Sequence, residues 1–231
     1  TMQLSIFRIH SKLVEISWPK EISETVLSEQ LIVQDFLWKE YGEGIREIRM
    51  GFNSLSLKLK IEISKQDCQD LLQEIHELPF RSNGFENKIW NIPVCYGSSM
   101  GKDLEKLAKL HQLSSDEVIQ IHSKTTYTLH FYGFLPGFMY LGGLDERLYT
   151  PRKDLPERLI QAGTVAIGGR QTGIYPMDSP GGWFAIGKTP LKLFDINLSK
   201  EKIPSIGDKI KFEPISLNEF NSIQKESIGQ S

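Results

Sequence analysis

Cysteine is scarce in this chain: Cys68 and Cys95 are the only two in 231 residues. So few thiols point to a reducing, cytoplasmic setting. Cys68 falls on the apolar stripe of a helical segment and Cys95 at the end of a strand, so both read as small buried hydrophobes. Long hydrophobic runs are also missing. No stretch approaches the ~20 apolar residues that span a bilayer, and the first ten residues lack the basic-then-apolar pattern of a secretory signal. No membrane partner is expected. Neither sign of charge dominates, with 27 Lys and Arg against 29 Asp and Glu. A phosphate-binding surface needs clustered basic residues, so non-specific nucleic-acid binding is not expected. The five histidines, His10, His76, His111, His122 and His130, show no metal-ligand spacing with each other or with cysteine, so no metal is expected. The G-x-S-x-G elbow of one hydrolase class is absent. The turn Gly97-Ser-Ser-Met-Gly101-Lys102-Asp103 sits where a phosphate loop would. It has three residues between its glycines where a P-loop needs four, and Asp follows its Lys. A strand-to-helix turn capped by Asp103 accounts for the same residues.

Hydrophobic residues make up 39% of the chain, enough for a real core. Up to about residue 125, helical and strand periods alternate. Gln3–Ile9, Leu13–Trp18 and Lys88–Tyr96 read as strands. Leu55, Leu57, Leu59, Ile61 and Ile63 alternate as one half-buried strand. Ile22–Tyr41 reads as a helix. Cys68, Leu71, Leu72 and Ile75 place an amphipathic helix over Gln66–Leu78. The order β-β-α-β-β-α-β implies a small sheet with helices on one face. Two helices follow, Asp103–Leu113 and Ser115–His122, the second with Ser114 and Glu117 at capping-box spacing. They resemble a helix-turn-helix, but Asp116 and Glu117 open the second helix and no Arg or Lys follows before Lys124. A recognition helix so charged would repel phosphate.

Beyond residue 125 the texture becomes short strands broken by turns. Eleven of the 19 Gly and six of the 11 Pro lie between Gly133 and Pro190, which implies a closed or nearly closed β-barrel. The expected fold is thus α+β: an N-terminal α/β sandwich domain over 1–95, a helical connector over 96–124, a barrel over 125–218 and a frayed polar tail over 219–231.

Three loops hold the candidate chemistry. Gly133–Gly143 carries Phe134, Pro136, Gly137, Phe138 and Tyr140, too many aromatics for an ordinary exposed turn. They either pack inward or line a pocket. Thr150-Pro151-Arg152 supplies a guanidinium. Gln171, Thr172 and Tyr175, then Ser179, Gly181, Gly182 and Trp183, supply polar groups and a further aromatic. Meeting at one barrel rim, these loops would suit a small planar carboxylate or amide. The alternative is that the glycines and prolines only shape barrel corners and the aromatics only fill the core. His130 alternates with Tyr127, Leu129 and Phe131 three residues before the first loop, and reads either as a solvated strand residue or as part of the site.

Gly133–Gly143 (GFLPGFMYLGG), Thr150–Arg152 (TPR), Ala162–Ile167 (AGTVAI), Gln171–Pro176 (QTGIYP), Ser179–Trp183 (SPGGW) and Ile186–Asp195 (IGKTPLKLFD) together resemble the family of the 5-oxoprolinase B subunit, kinase inhibitor KipI and allophanate hydrolase subunit 1. The resemblance implies a cyclophilin-like barrel behind a smaller N-terminal domain. It also implies a polypeptide that works with the 5-oxoprolinase A and C subunits to open 5-oxoproline to glutamate. ATP is then used by the complex, with no cofactor bound by this chain. On that reading the loops meet 5-oxoproline, its activated form or a partner surface. Arg152 is the candidate clamp, Gln171 and Tyr175 are polar orienters, and His130 completes the candidate catalytic set. The same resemblance leaves open an inhibitor that binds a sensor histidine kinase, or a component of urea or allophanate metabolism.

Overall fold

Alternating and 3.6-residue apolar patterns build the first of two units, Thr1–Phe85; the second is Glu86–Ser231. The computed structural model describes residues 3–80, 87–194 and 202–228. In the first unit, strands β1 (Ser5–His10) and β2 (Leu13–Ser17) precede helix α1 (Glu24–Tyr41). Strands β3 (Ile45–Met50) and β4 (Ser54–Leu59) precede α2 (Lys65–His76). They form an antiparallel sheet in the order β1-β2-β4-β3. The central register pairs Val14 with Leu57 and Ile16 with Leu55. These four pack with Val26, Val33 and Leu37 of α1 and Cys68, Leu71 and Ile75 of α2, each full burial contributing roughly 1.5–3 kcal/mol. Ser64 and Asp67 form a capping box at the start of α2. The alternation expected to run to Ile63 stops at Leu59, and Ile61 is 66% exposed.

The second unit begins earlier than the composition shift suggests. Strand β5 (Ile89–Tyr96) runs parallel to a strand more than a hundred residues later. Helices α3 (Leu104–Leu110) and α4 (Ser115–Lys124) follow, then β6 (Thr126–Tyr132), β7 (Met139–Gly142), β8 (Glu157–Ile160), β9 (Thr164–Gly168), β10 (Gln171–Ile174), β11 (Ser179–Gly181), β12 (Phe184–Lys188), β13 (Lys209–Pro214) and α5 (Leu217–Ile228). Seven strands close into a barrel in the order β10-β7-β6-β13-β5-β12-β9, while β8 and β11 pair separately. The expected combination of a small α+β domain and a closed barrel is what forms.

The boundaries expected from the sequence are corrected. The strand 89–96 belongs to the barrel, not to a domain 1–95. An alternating pattern says which face of a strand is buried, not which distant strand it joins. The helices within 96–124 are not a connector: Leu104, Leu107 and Val118 enter the same core cluster as Val94, Leu129 and Phe212. The expected tail is largely helix α5, started by a reciprocal Ser216–Glu219 cap and anchored by Phe220, which is 2% exposed.

Asp103 does not cap α3; its side chain makes no capping hydrogen bond. The turn before it is built for close packing. Gly97 N–H donates to Ile186 O at 3.0 Å, and a Cβ at Gly101 would overlap that same carbonyl. Contact with β12 thus requires glycine at 101, while Gly97 takes a left-handed φ of 70°.

Candidate functional site

Strand β6 sets up the site through a bulge. Leu129 pairs with Leu141 and Phe131 with Tyr140, leaving His130 as the extra residue. The alternation therefore inverts: Tyr127 and Leu129 lie in the main barrel core, while Phe131 stacks on Tyr140 with ring centroids 4.4 Å apart. Plain alternation along the sequence puts Phe131 with Leu129. His130 is buried, at 2% exposure, so the solvated reading is corrected.

The segment from Gly133 to Phe138 folds back on itself. Phe138 N–H donates to Leu135 O at 3.0 Å and Gly133 N–H to Phe138 O at 3.2 Å. The turn needs positive φ at Phe134 (60°) and Gly137 (83°). For a bulky residue such as Phe134 that conformation costs about 1–3 kcal/mol. It leaves the Phe134 ring 60% exposed, edge-on to Phe138 at 5.6 Å.

Phe138 is the centre of an aromatic cluster. It stands edge-on to Tyr175 at 5.0 Å and to Trp183 at 5.3 Å, the geometry that aligns ring edges with ring faces. Glycines make room for it. A Cβ at Gly168 would come within 2.5 Å of the Trp183 indole, and one at Gly181 would overlap the Tyr175 hydroxyl. Tyr140, Gly168 and Gly173 alternate with the core residues Leu141, Ile167 and Ile174, so the cluster lies on the flank of the barrel rather than at its rim.

A cavity of about 280 Å³ opens there, lined by Phe134, Phe138, Tyr140, Arg152, Pro156, Tyr175, Pro180, Gly181, Gly182 and Trp183. That is just under the roughly 300–1,000 Å³ typical of drug-sized ligands. Arg152 Cζ lies 5.8 Å from the centre of the Trp183 ring, within cation–π reach. Among the described residues no carboxylate forms a salt bridge with it. Burial pushes the Tyr175 phenol up to about 12, opposed by the backbone N–H of Trp183 and by Arg152. Burial also raises the Tyr140 phenol, again opposed by Arg152. Both phenols therefore stay protonated near neutral pH and act as hydrogen-bond donors, not bases. The lining holds no carboxylate, imidazole, thiol or amine. It is equipped to hold a small flat anion.

Of the residues expected in the site, Arg152, Tyr175, Phe134, Phe138, Tyr140, Gly181, Gly182 and Trp183 line this cavity. The others do not. Pro136 is exposed on the loop, and Gly137 faces a second cavity of about 400 Å³ bordered by Gln161, Asp178 and Lys188. Gln171 is half-buried opposite Gly168. Ser179 is buried opposite Ile160. Thr172 is fully buried, its hydroxyl 2.9 Å from His122 Nε2 and donating to Ala166 O at 3.0 Å. His122 is a residue that sequence reasoning passes over. It is wholly buried, stacked on Phe212 at 4.7 Å and bonded through Nδ1 to the Tyr96 hydroxyl at 2.8 Å; burial pushes its pKa down to about 3. Nothing in its helical spacing marks that role.

A larger cavity, about 910 Å³, belongs wholly to the first unit, with an apolar floor around Leu37, Leu57 and Leu71 and carboxylates at its edge. Its polar groups are mostly carboxylates, with Tyr41 donating its hydroxyl to Glu74 and Lys39 nearby, a lining unsuited to an anion. Among the described residues no cluster of His, Cys, Asp and Glu has the makings of a metal site, and no helix is long and apolar enough to cross a membrane.

The barrel, its aromatic flank and the small sandwich before it define a known class. Residues 4–204 match the model of the carboxyltransferase domain, subdomain C and D, and the chain belongs to that family. It is 45% identical over 166 residues to the 5-oxoprolinase B subunit of Bacillus subtilis, covering 72% of this chain and 68% of that protein. It is 41% identical over 172 residues to the 5-oxoprolinase B subunit of Haemophilus influenzae, covering 74% and 79%. Among solved structures, Kluyveromyces lactis urea carboxylase superposes with a TM-score of 0.84 over 98% of this chain and 23% of its own. At 16% identity that likeness concerns the fold alone.

Proposed function

We propose that this chain is the B subunit of an ATP-dependent 5-oxoprolinase, and that the flank cavity binds the substrate. The observation that carries the reading is the cavity's composition: a guanidinium with no carboxylate partner among the described residues, beside aromatic walls and two protonated phenols. In this reading Arg152 takes the carboxylate of 5-oxoproline, its flat lactam ring packs against the aromatic wall that Phe134, Phe138 and Trp183 form, and Tyr140 and Tyr175 donate to its oxygens. A hydrogen bond to a charged group contributes about 1.5–3 kcal/mol. The identity to proteins named as 5-oxoprolinase B subunits supports the choice of ligand.

The same composition supports a non-autonomous role. Opening a lactam takes an activated carbonyl, a water and a group to accept the water's proton. No lining side chain is a base near neutral pH. The A and C subunits would supply the nucleotide chemistry and the missing base, in a cytoplasmic complex. The test is 5-oxoproline-dependent ATP hydrolysis with this chain alone, with the A and C subunits without it, and with all three. Turnover is expected only in the full mixture, with KM raised about 10- to 150-fold by Arg152→Ala. Equal turnover without this chain contradicts the reading, and inhibition of a sensor histidine kinase by the chain would replace it.

A further inference from the structure

The loop that carries Arg152 is fastened from behind by an ion pair that does not line the cavity. Lys153, the next residue, sends its ammonium to Asp103 Oδ2 at 2.6 Å, and the two side chains are only 10% and 11% exposed. The ammonium also meets Glu157, which in turn meets Lys102, and lies 5.3 Å from the centre of the Phe184 ring. Asp103 reaches the other wall as well. Its Oδ2 accepts from Ala185 N–H at 2.8 Å, and its own N–H donates to Ala185 O at 2.9 Å. One carboxylate thus holds the residue after Arg152 and the strand that begins just after Trp183. The backbone joins the same two segments, because Lys153 N–H donates to Gly182 O at 2.8 Å. A Cβ at Gly182 would stand 3.9 Å from Arg152 Cβ.

An exposed arginine has many rotamers, and holding it over a ring requires a fixed backbone beneath it. A buried charge pair is suited to that task, because losing either partner strands the other in a poorly solvated place. We infer that Asp103 and Lys153 are positioning residues: together they set the Arg152 guanidinium over the Trp183 indole, so that an incoming carboxylate meets a preformed clamp. This rests on the proposed carboxylate-binding role of the cavity. It also gives the Asp after the Gly97–Gly101 turn a purpose other than helix capping.

The test has two readouts on the full chain: the Trp183 indole N–H resonance without ligand, and 5-oxoproline affinity by titration. Arg152→Ala should move the resonance, and Lys153→Met should move it in the same direction and weaken binding about tenfold. The double variant Asp103→Asn/Lys153→Met removes both charges and so avoids stranding one. It should melt near the wild-type temperature yet still bind weakly. In an Arg152→Ala background, Lys153→Met should change affinity less than about twofold, because the group it positions is gone. Losses that multiply in that background, or binding that recovers with stability in the double variant, would overturn the inference. So would an indole resonance that either Arg152→Ala or Lys153→Met leaves in place. If wild-type protein fails to bind 5-oxoproline, the functional reading falls, while the ligand-free resonance still decides the positioning role.

Discussion

The two units use buried polar groups to different ends. In the first unit, Glu29 accepts from Trp18 Nε1 at 3.0 Å, and Gln30 Nε2 donates to Gly51 O at 2.9 Å and Ser54 O at 3.2 Å. These contacts fasten α1 to the sheet and satisfy polar atoms that burial would otherwise penalise. In the barrel unit, buried polar groups converge on particular places: the Tyr96–His122–Thr172 chain inside, and the Asp103–Lys153 pair behind the aromatic cavity. The first unit has the larger cavity, an apolar floor edged mainly by carboxylates and the Tyr41–Glu74 hydrogen bond; the barrel unit has the smaller one with a cation over an indole. The two differ most in charge: mainly carboxylates line the first, a guanidinium the second.

Substitutions in the two cores should separate these roles. Trp183→Ala should destabilise the chain by about 3–5 kcal/mol and abolish 5-oxoproline binding, as read by denaturant unfolding and titration. Leu57→Ala should cost a comparable 2–5 kcal/mol, roughly, but leave the dissociation constant within about twofold. A loss of affinity there would erase the distinction between the units.

Acid should act through the barrel unit. The pKa of His122 is about 3 when folded, against 6.5 for an ordinary histidine. The unfolded chain therefore takes up a proton that the native one refuses, and stability falls as pH drops from about 6.5 toward 3, by up to about 1.4 kcal/mol per pH unit. Asp145, held down to about 2 by Arg147, loses its partner's support only at lower pH. His122→Gln should flatten the slope between about pH 6.5 and 5, as followed by urea midpoints. An unchanged slope would mean another group carries it. At the small end, Ser216→Ala should cost about 1 kcal/mol through the start of α5, a loss visible as faster amide exchange in that helix.

Legibility in the sequence also divides along this line. Elements of the first unit are local, and the spacing of Leu55, Leu57, Cys68, Leu71 and Ile75 carries them. The aromatic loops of the barrel are legible as a set because so many rings between glycines demand burial or a ligand. What spacing does not carry is partner choice. Strand β5 joins β13 across the chain. The His130 bulge reverses a face that plain alternation assigns the other way. Thr172 and Arg152 read alike as polar loop residues, yet one is sealed on His122 and the other lines the cavity. Asp103 has cap spacing but spends its carboxylate on Lys153 and Ala185.

The most direct measurement is the position of 5-oxoproline bound to the chain, mapped by intermolecular NOEs from its ring protons. The account predicts contacts to the aromatic protons of Trp183 and Phe138 that vanish in Arg152→Ala. Saturating ligand with contacts elsewhere, or with none to these rings, would contradict it.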